Sequence, residues 1–194
     1  MNRTNIINHL IKKYNYKSYL EIGVYHYGNF DRVVCNTKHC VDPIYDATYK
    51  VTSDEFFERH ISQKYDIVFI DGLHLAEQVI KDIDNSLYYL NDGGTLVLHD
   101  CNPPTRHHQI REFDGISKWN GDVWKAIYHF RTTRDGLNIR VVDTDWGCGI
   151  IQIGEQTLFP NYGKYQDIDY ELLESNRKEL LNLVSIDEFL KAYQ

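Results

Sequence analysis

Short runs of apolar, often β-branched residues alternate along the chain with stretches in which apolar positions recur every three or four residues, the rhythm of a parallel α/β sheet with crossover helices. Ile6, Ile7, Leu10 and Ile11 form a short helical stripe near the N-terminus. Residues 18–24 (SYLEIGV) read as a first strand entering the turn YHYGN, with a helix starting over 29–36, and residues 39–42 (HCVD) as a second strand closed by Pro43. YKVTS at 49–53 reads as a short third strand, after which Ser53 or Asp54 stands where a cap for a helix over DEFFERHIS is needed. DIVFIDG at 66–72 is the clearest strand, its four consecutive apolar residues suiting burial on both faces. Leu75, Val79, Ile80, Ile83, Leu87 and Leu90 keep helical spacing, and Asn91-Asp92-Gly93-Gly94 is expected to stop that helix before a buried strand, TLVLHD, at 95–100.

Periodicity fails over residues 101–122, CNPPTRHHQIREFDGISKWNGD, where a Pro-Pro pair, two glycines and many hydrogen-bonding side chains mark an irregular excursion. A connection this long in a compact domain is usually a lid or a binding loop. VWKAIYHFR at 123–131 resumes as a helix whose Trp124 faces the core, IRVVDTD and CGIIQIG flank Trp146-Gly147 as an antiparallel hairpin, and 167–194 reads as a helical tail. The expected architecture is a single α/β domain over 1–194, with a mostly parallel seven-stranded sheet ending in a C-terminal antiparallel hairpin and helices on both faces.

Composition narrows the functional classes. A chain of 194 residues with 42% hydrophobic and 25% charged residues has the balance of one globular domain with an ordinary core. The net charge of −7 argues against a phosphate-binding surface, so nucleic acid is not expected as a partner. Neither a signal-peptide core nor an apolar run of membrane-spanning length is present, so no membrane association is expected. Cys35, Cys40, Cys101 and Cys148 are scattered without a CxxC pair, which fits reduced thiols and a cytoplasmic location.

Ligands of open α/β sheets bind beyond the carboxyl ends of the strands, and the informative residues sit there. Glu21 precedes two glycines, Gly23 and Gly28, in the turn after the first strand, a pattern that suits close ligand approach or merely a tight turn. Asp42 ends the second strand, placed either to bind ribose hydroxyls or to accept N–H bonds in the Asp-Pro turn. Ser53 and Asp54 would meet an adenine ring or cap a helix. Asp71 and His74 after one strand, and His99 and Asp100 after the next, must converge on one crevice, because neighbouring strand ends are only about 5 Å apart. Two carboxylates and two imidazoles there suit proton removal by a histidine, with the carboxylates holding a hard divalent cation.

The segments EIGVYHYGN, VDP and DIVFIDGLHLAEQVIKDIDNSLYYLNDGGTLVLHD, with the late hairpin, resemble class I S-adenosylmethionine-dependent methyltransferases over essentially residues 15–155. The DGLH and GGTLVLHD pairing resembles their small-molecule O-methyltransferase branch, which includes macrolide-sugar enzymes and enzymes of capsule or virus glycan synthesis. The resemblance implies a Rossmann-like fold and S-adenosyl-L-methionine as cofactor. It implies that Glu21, Gly23 and Gly28 shape the methionine and ribose side of the pocket, that Tyr25 and Asp71 also contact the cofactor, that Asp42 binds the ribose, and that Ser53 and Asp54 lie near the adenine. It carries a general base onto His74, with Asp71 beside it, and the ligands of a divalent metal, Mg or Mn, onto Asp71, His99 and Asp100. His99 stands where relatives have an acid, and imidazole is a poorer ligand for Mg²⁺ than for Mn²⁺.

A sugar or glycan acceptor, such as a deoxyhexose or a nucleotide-sugar, is expected from the excursion, where Arg106, His107, His108, Trp119, Asn120 and Asp122 mix hydrogen-bonding groups with aromatic faces. A catechol-like or other small natural product answers the same demand for two neighbouring oxygens. A metal-dependent hydrolase using Asp71, His74, His99 and Asp100 leaves Gly23, Gly28 and Asp42 without a task, and a non-catalytic cofactor-binding subunit leaves His74 without one. The Tyr-rich N-terminus and the tail cover either the core or a second copy, the latter giving a homodimer.

Overall fold

A computed structural model describes residues 1–115 and 118–194. The N-terminal stripe folds as α1 (Arg3–Tyr14), closed at its start by a reciprocal cap: Asn2 Oδ1 accepts from Asn5 N (3.1 Å) and Asn5 Oδ1 from Asn2 N (3.0 Å). The strands follow as β1 (Ser18–Ile22) and β2 (Thr37–Val41), then the short helix α2 (Ser53–Glu55), β3 (Tyr65–Ile70), α3 (Ala76–Tyr88) and β4 (Leu90–Leu98). The second half holds α4 (Trp124–Thr133), β5 (Leu137–Val142), β6 (Cys148–Ile153), α5 (Tyr170–Leu180), β7 (Leu183–Val184) and α6 (Ile186–Ala192). One seven-stranded sheet in the order β2-β1-β3-β4-β6-β5-β7 is parallel except around β6, which runs antiparallel to both β4 and β5.

The alternation within β3 explains its unbroken apolar run. Ile67 and Phe69 pack with Ile6, Ile7 and Leu10 of α1 and Phe189 of α6 on one face, while Val68 and Ile70 pack with Val79 and Ile83 of α3 and Trp124 of α4 on the other. Trp124 is fully buried, as its helical position predicts. Among the described residues no helix is long and apolar enough to cross a membrane.

Four local expectations are corrected. The stretch 49–53 forms only a single bridge, Val41 to Tyr49, because Thr52 turns away to become the N-cap of α2, its hydroxyl accepting from Glu55 N at 3.2 Å; neither Ser53 nor Asp54 fills that role. The seventh strand is β7 instead, which divides the expected helical tail into α5 and α6 after Asn182 adopts a left-handed φ of 44°. No α-helix follows β1: His26 and Tyr27 have φ of 53° and 57°, so 25–32 contains only two 3₁₀ turns. Asn91–Gly94 enter β4 rather than ending α3, and the extra residues are absorbed as a register shift opposite β3 between Tyr65 and Ile67.

Candidate active site

The parallel strands β1 to β4 end on one edge, and a cavity of about 600 Å³ lies over them. Its floor depends on Gly23. That residue has φ of 84°, donates its N–H to Val41 O (2.9 Å), and lies so close to the Asp71 carbonyl that a Cβ would collide with it. Asp71 N in turn donates to Ile22 O at 2.8 Å, so the ends of β1, β2 and β3 are pinned together.

At the β2 side the cavity is lined by Tyr25, Asp42, Ser53 and Asp54. Asp42 accepts from Val24 N (3.0 Å), Ile44 N (2.8 Å) and Tyr45 N (2.9 Å), so it holds the Asp-Pro turn while still bordering the cavity. Asp54 accepts from Gln78 Nε2 (2.9 Å), the main cause of its lowered pKa, and pairs with Lys81. Glu21 and Gly28 are not among the lining residues. Glu21 is buried beneath, accepting from the Tyr19 hydroxyl and from Asn29 Nδ2, and burial pushes its carboxyl up to about 8. Gly28 has an ordinary φ of −58°, and a Cβ there would meet only the Tyr25 carbonyl at an ordinary 4.0 Å, so neither conformation nor contact demands glycine.

At the β3 and β4 ends, Asp71, His74, His99 and Asp100 meet. His74 Nδ1 donates to Trp119 O (3.1 Å) with its ring stacked on Trp119, which aims Nε2 at Asp71 Oδ1 (3.3 Å) and Asp100 Oδ2 (3.5 Å). His99 Nδ1 donates to Asp100 Oδ2 (2.9 Å) and faces Asp71 Oδ1 (3.3 Å). Burial works against charge on both rings, but the surrounding carboxylates outweigh it: Asp71 and Asp100 raise His74, and Asp71, Asp100 and Asp145 raise His99. Burial likewise opposes the Asp71 carboxylate, yet His99 and His74 hold it well below the usual range. Asp100 itself sits at φ of 60°, a left-handed conformation unusual for a non-glycine, and Asn120 Nδ2 donates to its Oδ1 at 2.7 Å.

The donor set fits a divalent cation. Ligand atoms of Asp71, His74 and Asp100 all lie within 4.8 Å of one another, and three such groups this close need a shared cation or a proton between them. His99 stands outside that group: Nδ1 is committed to Asp100, and Nε2 lies between Arg3 Nη1 and Asp145 Oδ1. Arg3 and Asp145 escape the sequence reading. Arg3 lines the cavity, and Asp145, in the β5–β6 turn, accepts from Arg3 N at 2.9 Å and faces His99. Because β5 is parallel to β4 through their shared neighbour β6, the strand-end rule extended to β5 reaches Asp145; nothing local marks Arg3.

The excursion contributes less to the cavity than expected. Trp119 lines it, but Asp122 is buried elsewhere: its carboxylate accepts from Ala76 N (2.8 Å) at the start of α3 and from Arg111 (2.6 Å), and its own N–H donates to His74 O (3.1 Å). Asp122 therefore fastens the excursion to the Asp71–His74 turn. Arg106 pairs with Glu171, His107 lies 2.9 Å from Asp114, and His108 stacks on Trp146; none of the three lines this cavity. A second, open cavity of about 490 Å³ adjoins Asn102, Asp143, Asp145, Trp146, Glu174 and Arg177. Ile116 and Ser117, within the expected acceptor loop 101–122, lie outside the described residues.

Residues 23–101 match a family model described as a methyltransferase domain, a span running from Gly23 at the end of β1 to the residue after Asp100. No curated protein matches the sequence significantly. The fold is similar to that of cofactor-bound Rv0187 from MTB, at 14% identity over 80% of this chain and 82% of that one, with a TM-score of 0.55. It is similar also to the O-methyltransferase from Bacillus cereus in complex with SAH, at 11% identity over 79% and 80% of the two chains and a TM-score of 0.55. The O-methyltransferase TomG from Streptomyces achromogenes, involved in tomaymycin synthesis and in complex with SAM, gives 11% identity, coverage of 77% and 78%, and a TM-score of 0.53. The chain thus has the Rossmann-like methyltransferase fold.

Proposed function

We propose that this methyltransferase-fold chain is an enzyme, an S-adenosylmethionine-dependent O-methyltransferase whose acceptor is a sugar hydroxyl, with His74 as base and a divalent cation between Asp71 and Asp100. The observation that carries the reading is one cavity that joins the Gly23, Asp42 and Ser53 strand ends, suited to a nucleoside, to an acid and imidazole cluster suited to a hydroxyl. The methyltransferase match across residues 23–101 and the SAM- and SAH-bound solved structures of the same fold support it.

When bound, the cofactor supplies an electrophilic methyl, and the cation would hold neighbouring acceptor oxygens. The residues of the chain then have few tasks. Gly23 keeps the floor flat enough for close approach, and Ser53 and Asp54 border the nucleoside end. His74, its Nδ1 fixed on the Trp119 carbonyl, presents Nε2 to take the hydroxyl proton, and Asp71 and Asp100 compensate the charge it gains. Trp119 offers an aromatic face beside that nitrogen, and the adjoining cavity at Trp146, Asp143 and Glu174 offers the hydrogen-bonding groups a carbohydrate needs.

Two alternatives have specific support. The grouping of Asp71, His74 and Asp100 favours Nε2 as a third cation ligand, in which case it takes no proton. The solved enzyme of tomaymycin synthesis favours a catechol-like or other small natural product as acceptor. The test is transfer of labelled methyl from S-adenosylmethionine to nucleotide-sugars, short glycans and catechols, with Mg²⁺, with Mn²⁺ and with chelator. Transfer to sugars is the expected result; transfer confined to catechols replaces the acceptor. Absence of calorimetric heat with S-adenosylhomocysteine sinks the methyltransferase reading itself.

A further inference from the structure

The cavity is acidic, bordered by the carboxylates of Asp42, Asp54, Asp71 and Asp100. Among the described residues that line it, Arg3 is the one arginine or lysine. Its backbone is anchored, Arg3 N donating to Asp145 Oδ2 at 2.9 Å, and Nη1 lies against the His99 ring and 3.5 Å from Asp145 Oδ2. Nε and Nη2 meet no acceptor among the described residues, and the side chain is 32% exposed. A fixed guanidinium with two unspent donor positions at the wall of a cavity is an anion receptor, because the planar fork matches a carboxylate and stays charged at any working pH.

We propose that Arg3 binds the α-carboxylate at the amino-acid end of the cofactor, an inference that rests on the S-adenosylmethionine reading above. An anionic group entering this cavity meets like charge at the four aspartates, and the unspent Nε and Nη2 donors of Arg3 give a carboxylate a two-point partner, which orients a ligand with one carboxylate. The geometry sets the same direction. Ser53 and Asp54 follow β2, whereas Arg3 contacts His99 at the end of β4, and β2 and β4 are separated by three strand spacings, roughly 15 Å. A nucleoside at the first place puts its amino-acid extension toward the second. Helix α1 thereby contributes to a site otherwise built from strand ends, and the Asp145 turn holds it there.

The experiment compares two ligands on the full chain by calorimetry: S-adenosylhomocysteine, and 5′-methylthioadenosine, which keeps the nucleoside and thioether but lacks the amino acid. Arg3→Ala is expected to weaken S-adenosylhomocysteine about 10- to 100-fold, the usual effect of losing a charge-assisted pair, while 5′-methylthioadenosine changes less than about twofold. Arg3→Lys is expected to recover part of the loss through its charge. Equal weakening of both ligands means that Arg3 acts only on the fold and overturns the proposal, as does unchanged affinity for both. Failure of the unsubstituted protein to bind S-adenosylhomocysteine overturns the parent reading as well, and is recognised before any variant is made.

Discussion

Glu21→Gln tests whether the acid at the end of β1 is a buried neutral group rather than a charge facing the cavity. Glu21 is 1% exposed, and its Oε2 accepts from both Tyr19 and Asn29. Burial, against the effect of those two hydrogen bonds, lifts the carboxyl from 4.5 to about 8. In the unfolded chain the group ionises near 4.5, so between there and about pH 8 the native state holds a proton that the unfolded state has lost. Stability from Glu21 is therefore complete below the unfolded value and declines as pH rises, by about 1.4 kcal/mol per unit and roughly 5 kcal/mol over the whole window. From about pH 5.5 to about pH 7.5 the loss is on the order of 2–3 kcal/mol. Glutamine copies the protonated acid in shape and charge and its amide oxygen accepts from the same two donors, so the variant escapes this decline. Asp82, whose pKa burial lifts to about 6, titrates in both proteins and cancels in the comparison. Urea titrations at a series of pH values should show the two stabilities diverging by that amount, with the variant the more stable at neutral pH. Parallel profiles would refute the buried-acid argument and return Glu21 to the charged state.

Gly23→Ala puts a methyl group into the Asp71 carbonyl at a left-handed φ and should cost about 2–4 kcal/mol in chemical denaturation, with loss of S-adenosylhomocysteine binding; an unchanged midpoint would show that β1 and β3 are not pinned as described. Asp100→Asn should weaken Mn²⁺ binding at least about tenfold by calorimetry, and chelator treatment should remove turnover that added Mn²⁺ restores. Full activity in chelator would leave Asp71 and Asp100 as hydrogen-bonding groups only. His74→Ala should lower turnover by about 10²–10⁴ while S-adenosylhomocysteine affinity stays within about threefold, and retained turnover removes the base assignment. Asp122→Ala should cost about 1–2 kcal/mol by unfreezing the start of α3, and a selective rise in acceptor KM without that cost would restore it as a substrate contact.

What the sequence exposes and what it hides follow from the range of the interactions involved. The runs in β3 and β4 are legible because a strand buried on both faces must be apolar at every position, and the strand-end rule then brings Asp71, His74, His99 and Asp100 together without any knowledge of side-chain packing. The 49–53 and 183–184 segments are misread for one reason. Edge pairing depends on which segment finds a free strand edge, and β7 finds β5 while Tyr49 keeps only its bridge to Val41. Asp122 carries the composition of a binding loop, yet its role is set by Arg111 and by the open end of α3, contacts that no spacing announces. Arg3 is the extreme case. In sequence it is one basic residue on a polar helix end, and it acquires a cavity, a histidine and an aspartate partner only when α1 packs on β3 and the β5–β6 turn closes over it. Residues that strands deliver to a site can thus be read from the chain, whereas residues delivered by the packing of a whole element against the sheet require the fold. The acceptor contacts proposed for Trp119 and Trp146 belong to the second kind, because the Ile110 carbonyl holds the Trp119 ring and the His108 ring stacks on Trp146.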